Sequence, residues 1–193
     1  MWLEEVERLL HASPAIRTPE SRGLREGAVL VPLYVAAGEL WVLLTRRAGA
    51  VADPAGAFAF PGGAREPADE DEVAAALREA HEELGLDPSG VVVLGRLDDV
   101  CTPTGYAISP VVGAIPYPLA ATPVSAEVEA LAPVPFSYLA NPEAVEEQEI
   151  EVAGETVVSP VYHYRAHRIS GATARILADL VGRLTGGAAA MGP

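Results

Sequence analysis

Basic side chains are scarce in this sequence of 193 residues, which has 13 Lys and Arg against 27 Asp and Glu. The formal net charge at pH 7 is therefore −14. Proteins that bind nucleic acid nonspecifically neutralise its phosphates with basic side chains, so we expect no nucleic-acid partner. The same charge would repel a small polyanionic substrate unless a cation or a few placed arginines bridged the two.

Cysteine and long apolar runs are also nearly absent. The single cysteine, Cys101, excludes an internal disulfide and an all-cysteine zinc site, and it favours a cytoplasmic location. The start of the chain is acidic and amphipathic, unlike a signal peptide. Pro32, Gly38 and Glu39 interrupt the longest apolar stretch, so we expect no membrane span.

Half of the residues are apolar, which suits one globular domain over residues 1–193 with a sizeable core. Strands flanked by a few helices predict an α/β (α+β) sandwich with a mixed sheet. Periodicity and turn residues predict helices at 1–13, 71–84 and 172–184, a hairpin of strands 28–35 and 40–45, strands 91–97 and 108–115, and a hairpin of strands 149–152 and 156–168. Residues 48–63 and 116–135 are predicted to be irregular, with a short helical turn at Glu127, and 186–193 to be a frayed tail.

The predicted helix at 71–84 has one strongly acidic face. At 100° per residue, Glu79, Glu82 and Glu83 share an arc of about 100°, separate from an apolar stripe that faces the core. Like charges at this spacing repel each other, and the helix dipole disfavours anions in the last turns. Such carboxylates suit a divalent cation, because Mg²⁺ prefers oxygen ligands, and the alternative is a solvated acidic face. At the other end of the helix, Asp69 and Glu72 are predicted to form a capping box.

Glu70, followed after seven residues by Arg78-Glu79-Ala80-His81-Glu82-Glu83-Leu84-Gly85-Leu86, resembles the Nudix box. The resemblance implies a Nudix-like α/β/α sandwich and a hydrolase that cuts the diphosphate of a nucleoside diphosphate derivative with Mg²⁺ (or Mn²⁺). It also implies that Glu79, Glu82 and Glu83 ligate the metal, and that a carbonyl of the Gly62-Gly63 turn completes the shell. Arg78 would then hold a glutamate in position through a charge-assisted hydrogen bond.

The resemblance leaves the general base open. Members of the family use either a glutamate of the box, for which we take Glu82, or one from a distal loop, for which Glu127 is the candidate. The alternative for Glu127 is a solvated loop acid. His81 projects away from the glutamates and is expected to be a surface residue.

One position departs from the box, which has glycine six residues before Glu70, where this chain has Ala64. Gly63 stands one residue earlier and is correctly spaced from Asp69 instead. Two explanations are open. Either the loop carries one extra residue, or Asp69 takes the part of the first acid of the box.

Further motifs resemble the coenzyme A pyrophosphatase branch, which cuts coenzyme A to 3′,5′-ADP and 4′-phosphopantetheine. They are Leu43-Leu44-Thr45-Arg46-Arg47-Ala48 before Gly56 and Phe60-Pro61-Gly62-Gly63, then Thr102-Pro103-Thr104-Gly105-Tyr106, Ser109-Pro110-Val111-Val112-Gly113 and Gly171-Ala172-Thr173-Ala174-Arg175. The resemblance implies substrate contacts from Arg47, Gly62, Gly63, Thr104 and Gly105. The chain departs from the branch at Ala52, where an arginine is usual, and at Ser170, where a tryptophan is usual.

Two other functions stay open at this point. One is an ADP-ribose or NADH pyrophosphatase with the same chemistry, and the other is a Nudix domain that senses a nucleotide without cutting it. In each case the expected partner is a small nucleotide, with no membrane partner, and a homodimer is left open.

Overall fold

An eight-stranded mixed sheet lies at the centre of the computed structural model, which describes residues 2–17, 23–49, 58–152, 155–165 and 167–186. A second sheet has three strands. The elements are α1 (Trp2–Ala12), β1 (Arg25–Ala36), β2 (Glu39–Arg47), β3 (Phe58–Ala59), β4 (Gly62–Ala64), α2 (Glu72–Leu84), β5 (Val92–Arg96), β6 (Val100–Cys101), β7 (Tyr106–Ala114), β8 (Val128–Pro135), α3 (Phe136–Leu139), β9 (Val145–Val152), β10 (Glu155–Tyr164), β11 (His167–Ile169) and α4 (Gly171–Thr185). Short 3₁₀ turns lie at Pro88–Gly90 and Pro142–Ala144.

The main sheet is mixed because its two central strands run parallel while the others pair antiparallel. Strand β1 pairs parallel with β7 and antiparallel with β2 and β4. The predicted hairpin of strands 28–35 and 40–45 is confirmed, and Ala37 and Gly38 at its turn have positive φ angles of 52° and 79°.

The prediction of an irregular segment at 116–135 is wrong for its last part, because β8 occupies Val128–Pro135 and pairs with β2. Pro133 lies opposite Leu43 within this pairing. Proline has no N–H to donate, but an edge strand has one side with no ladder, where the missing donor costs little. The prolines that suggested a loop therefore belong to an outer strand.

Helices cover both faces of the main sheet, which confirms the predicted α/β/α sandwich. Alternate residues of β1 enter separate cores, since successive strand side chains point to opposite faces. Ala28 and Leu30 pack in the core that contains α2, whereas Val31 and Leu33 pack in the core that contains α1 and α4. The face covered by α2 is the one that positions the acidic residues.

Helix α2 begins and ends at clear caps, but its N-cap differs from the prediction. The side chain of Asp71, not that of Asp69, accepts a hydrogen bond from the N–H of Ala74. Gly85 ends the helix with φ +64°, and its N–H donates to the carbonyl of His81. Asp69 is thereby left for a different contact, described below.

The remaining predicted elements fall close to their expected places. The terminal helix prediction at 1–13 matches α1, and the 172–184 prediction matches α4. The second hairpin is confirmed as β9 and β10, but the prediction that its second strand runs to residue 168 is wrong, because β10 ends at Tyr164 and β11 pairs with it antiparallel. In the segment predicted as irregular at 48–63, β3 forms at Phe58–Ala59 and β4 begins at Gly62. The turn at 153–154 and the tail at 187–193 lie outside the described residues. None of the described helices is long and apolar enough to cross a membrane.

Candidate active site

Two glycines bring the backbone of β4 close to both β1 and α2. Gly62 pairs with Val29 and Gly63 with Ala28 in antiparallel register. A Cβ atom at Gly62 would overlap the backbone of β1, and one at Gly63 would overlap the carboxylate of Glu79. No larger residue fits either position without a shift, so the glycines set the distance between this loop and the acidic helix.

Two box glutamates lie against that glycine loop, and both have raised pKa values. Burial raises the pKa of Glu83 to about 7, and the charges of Glu79 and Glu127 add to the rise. The N–H of Gly62, 3.4 Å from Glu83 Oε1, and the charge of Arg47 oppose it. Burial also raises the pKa of Glu79, although its bond to Arg78 acts in the opposite direction. A cation placed between these carboxylates would relieve their mutual repulsion.

Arg78 links the acidic helix to the preceding loop. Its Nε and Nη2 each lie 3.0 Å from one oxygen of Asp69, a two-pronged charge-assisted pair in which the Asp69 side chain is only 5% exposed. Its Nη1 donates to Glu79 at 3.0 Å and to Glu82 at 3.3 Å. The bond from Arg78 holds the pKa of Asp69 below its usual range.

This pairing bears on the two explanations for the shifted glycine. Asp69 receives the arginine and also accepts the N–H of Glu66 at 2.8 Å, whereas Glu70 contributes its backbone carbonyl to Arg65. These contacts favour Asp69 as the first acid of the box, with the regular spacing from Gly63 but with one residue more before Arg78 than the box has.

A cavity of about 880 Å³ opens beside these carboxylates. Its volume lies in the range typical of small-molecule sites. Seven of the ten residues predicted as catalytic, substrate-binding or metal-binding line it: Arg47, Gly62, Gly63, Glu79, Glu83, Thr104 and Glu127. Gly105, Arg78 and Glu82 are not among its lining residues. Gly105, with φ +86°, instead shapes the turn that presents Thr104, and its N–H donates to the carbonyl of Thr102 at 3.0 Å.

A family model described as "NUDIX domain" matches residues 24–158. The chain belongs to the Nudix family. The match includes the glycine loop, α2 and Glu127, and therefore all three glutamates that line the cavity.

Curated Nudix relatives match most of the chain. The protein described as "Uncharacterized Nudix hydrolase NudL" from Escherichia coli O7:K1 is 36% identical over 161 residues, which cover 83% of this chain and 83% of that protein. "Peroxisomal coenzyme A diphosphatase NUDT7" from Mus musculus is 34% identical over 138 residues, or 72% of this chain. The match spans 58% of the mouse protein.

Solved Nudix structures share the fold. A MutT/nudix family protein from Enterococcus faecalis superposes with a TM-score of 0.56 and 18% identity, covering 95% of this chain and 70% of that one. A NUDIX hydrolase from Alicyclobacillus acidocaldarius gives a TM-score of 0.53 and 20% identity, covering 88% and 98% of the two chains. The chain thus has the sandwich fold of its family.

Nudix hydrolases generally use a divalent metal, and the donor set of this chain fits one in part. Glu79 and Glu83 offer carboxylate oxygens on the cavity wall, the ligands that Mg²⁺ prefers. Glu82 is 56% exposed and turned towards Arg78. Within the described ranges, no group of three or more His, Cys, Asp or Glu side chains is arranged to hold a metal ion. Two of the three predicted ligands therefore line the same cavity, and the third, Glu82, lies outside its lining.

Part of the cavity wall was not predicted as part of the site. Ser170, Gly171, Ala172 and Thr173, at the start of α4, line it. Thr173 Oγ1 donates to the carbonyl of Phe58 at 3.1 Å, which fixes α4 against β3. The motif beginning at Gly171 could have indicated these residues. Because it lies far from the box in sequence, its position beside the cavity could not be predicted. Ala52 and Gly56 lie outside the described residues.

Proposed function

We propose that this Nudix hydrolase cuts the diphosphate of coenzyme A or an acyl-coenzyme A, giving 3′,5′-ADP and the corresponding 4′-phosphopantetheine. One observation carries the proposal. A single cavity joins Glu79 and Glu83 of the Nudix box to Arg47 and Thr104, which come from the motifs resembling the coenzyme A branch. The similarity to the mouse coenzyme A diphosphatase over 72% of this chain supports the same substrate class.

The roles of the side chains follow from their surroundings. Glu79 and Glu83, with Glu82, would hold Mg²⁺ or Mn²⁺. When bound, the cation would offset the charge of the diphosphate and make a nearby water more acidic. Arg78, fixed by Asp69, orients Glu79. Arg47 is a cation in the wall of an acidic cavity, where it would contact a substrate phosphate.

Glu127 is better placed than Glu82 to accept a proton from the attacking water. Glu127 lines the cavity and is close enough to Glu83 for its charge to raise the pKa of that carboxylate. Glu82 is already bound to Arg78 and lies outside the cavity lining. The backbone carbonyl of Glu127 accepts the N–H of Ala48 at 2.7 Å, which holds the segment before β8 beside the end of β2.

A substrate screen tests the proposal directly. Coenzyme A, acetyl-coenzyme A, ADP-ribose, NADH and nucleotide sugars are each incubated with the full chain and Mg²⁺ or Mn²⁺, and the products are identified. The expected result is the highest kcat/KM for a coenzyme A derivative, with 3′,5′-ADP as a product. Preference for ADP-ribose or NADH would overturn the coenzyme A assignment and leave the broader diphosphatase activity.

A further inference from the structure

A second, smaller cavity of about 210 Å³ lies on the other side of Phe58. Phe58 lines both cavities and therefore forms a shared wall. The two neighbouring arginines of β2 are divided between them, because Arg46 lines the small cavity and Arg47 the large one. Successive strand residues point to opposite faces, and the pairing of β2 with β8 also shifts register between these two residues.

The charge of the small cavity is opposite to that of the chain as a whole. Its wall contains Arg46, Arg165 and His167, and none of the described residues that line it is acidic. Its floor is apolar and includes Phe58, Val134 and Ile169. A cationic wall over an apolar floor is an unusual surface in a protein with a net charge of −14, and it favours an anionic ligand.

The hydrogen-bonding state of the two arginines points the same way. The Arg46 side chain is 40% exposed, and its Nη2 donates to Glu129 at 2.8 Å, which leaves other guanidinium N–H groups of Arg46 for a ligand. Arg165 lies over the ring of Tyr164 at 5.1 Å, and no carboxylate in the described part of the chain forms an ion pair with it. Unused guanidinium donors match the oxygens of a phosphate group.

The backbone at Arg165 adds an independent observation. Arg165 follows β10, at the connection to β11, and has φ +56°, a conformation that favours glycine. An arginine there carries a conformational cost that glycine would avoid. Residues held in such conformations concentrate at ligand-binding sites, where the side chain gives a reason to keep them.

We propose that this small cavity binds a phosphate monoester group, held by Arg46 and Arg165 beside His167. Its volume is below that of most sites for whole organic ligands, so it suits a phosphate and part of its carrier, not a complete nucleotide. The phosphate comes either from a substrate that reaches past Phe58 or from a free phosphomonoester. The proposal goes beyond the hydrolytic activity, and its binding test does not depend on which diphosphate is cut; only the kinetic separation of the two phosphate sources rests on the proposed coenzyme A activity.

Calorimetric titration of the metal-free full chain with inorganic phosphate tests binding. Arg46→Gln and Arg165→Gly should each weaken phosphate binding about tenfold, the loss of one charge-assisted contact. Arg165→Gly also relieves the positive φ, so its melting temperature should not fall, and lost binding then cannot reflect unfolding. Arg8→Gln, on α1, makes a matched charge change remote from both cavities and should leave binding unaltered.

Arg47→Gln distinguishes the two cavities, since Arg47 lines only the larger one. Weakened phosphate binding in Arg47→Gln together with unchanged binding in Arg46→Gln and Arg165→Gly would overturn the proposal, as would equal losses in all variants including Arg8→Gln. Phosphate binding is measured without metal or turnover, so this result is separate from the failure or success of the coenzyme A assignment.

Steady-state kinetics separate the two sources of phosphate. If the phosphate belongs to the substrate, Arg165→Gly lowers kcat/KM for coenzyme A about tenfold and leaves that for 3′-dephospho-coenzyme A unchanged. If it is free, both substrates respond alike, and added inorganic phosphate binds alongside either of them. Both outcomes support the site, whereas wild-type phosphate binding in both cavity variants excludes it.

Discussion

Glu79 and Glu83 stand one helical turn apart on α2, yet their carboxylates have different surroundings. Glu79 is bound to Arg78, which is itself fixed by the buried carboxylate of Asp69. Among the described residues, the carboxylate of Glu83 accepts one long hydrogen bond, from the N–H of Gly62, and the charges of Glu79 and Glu127 raise its pKa while that of Arg47 lowers it. Arg78 thus compensates part of the charge of Glu79, although burial still raises the pKa of that group, whereas Glu83 has no comparable ion pair in the described part of the chain.

The different surroundings of Glu79 and Glu83 suggest different roles for the two carboxylates. The carboxylate of Glu79 is held by Arg78 before any ligand binds, so it contributes a fixed position to the site. A carboxylate left uncompensated at a cavity wall lowers the stability of the empty site and gains most when a cation binds. Glu83 should therefore carry more of the metal-dependent free energy than Glu79.

The largest expected effect comes from Glu83→Gln, which removes the uncompensated charge at nearly constant size. If the substitution removes about 4 kcal/mol of transition-state stabilisation by the cation, kcat/KM falls roughly a thousandfold. The measurement is kcat/KM with a Mg²⁺ titration, alongside thermal unfolding by circular dichroism. Glu147→Gln, an exposed acid on β9, makes the same chemical change and should be neutral. Near-normal activity of Glu83→Gln with unchanged metal dependence would refute its role.

A second test concerns Glu127, the acid that faces Glu83 from outside the helix. If Glu127 accepts the proton of the attacking water, Glu127→Gln should lower kcat about a hundredfold, with KM little changed. Comparing kcat and KM over the pH range shows which role applies. A change in KM alone would place Glu127 in substrate binding and return the general base to the box.

A third prediction addresses the ion pair of Glu79 through Arg78→Lys. Lysine keeps the charge but cannot bind both oxygens of Asp69 while also contacting Glu79, so we expect about 2 kcal/mol lower stability. For a chain of this size that corresponds to a melting temperature lower by roughly 4–8 °C. Activity should fall about tenfold because Glu79 loses its fixed position.

Arg8→Lys, in an exposed pair with Glu5, serves as the control for that substitution. Asp69→Asn offers a second route to the same loss. If Arg78→Lys and Asp69→Asn leave stability unchanged, the pairing between loop and helix contributes nothing to the site, and the contrast between Glu79 and Glu83 disappears.

The sequence predicted the positions of Glu79 and Glu83 on one helix face but not the difference in their surroundings. Helical periodicity placed Glu79, Glu82 and Glu83 in one arc, since that arc depends on neighbours within a single element. It could not assign Arg78 to Asp69, because this contact depends on the course of the loop between Gly63 and α2. The capping-box prediction for Asp69 failed for the same reason, as Asp71 took the cap.

Other errors also trace to contacts made across the chain. The strand at 128–135 was missed because its prolines are acceptable only once β2 supplies a partner on one side. The start of α4 was recognised as a motif but not as part of the cavity wall. The fold class, most element positions and the box followed from local pattern. The surroundings of each side chain required the tertiary structure.

The smallest predicted effect is a dependence of stability and metal affinity on pH, which tests the difference between Glu79 and Glu83. Because the pKa of Glu83 is raised from 4.5 to about 7 in the folded, metal-free protein, that protein binds its proton more tightly than the unfolded chain does. The resulting contribution to stability is full below about pH 4.5 and is lost as the pH rises towards 7. A metal ion binds the ionised carboxylate, so metal affinity rises as the pH rises.

A single site with this pKa predicts Mg²⁺ or Mn²⁺ binding about tenfold weaker at pH 6 than at pH 8. Calorimetric titration of the metal at several pH values gives that dependence, and thermal unfolding without metal gives its counterpart. In Glu83→Gln the group that titrates near neutral pH is gone, so both pH dependences should flatten, although binding itself is weaker. Glu82→Gln should retain both slopes, because both are assigned to Glu83, although the loss of a predicted ligand weakens metal binding at every pH. If its slopes flatten as well, Glu82 and Glu83 titrate as one unit, and the contrast drawn from the metal-free side chains does not hold in solution.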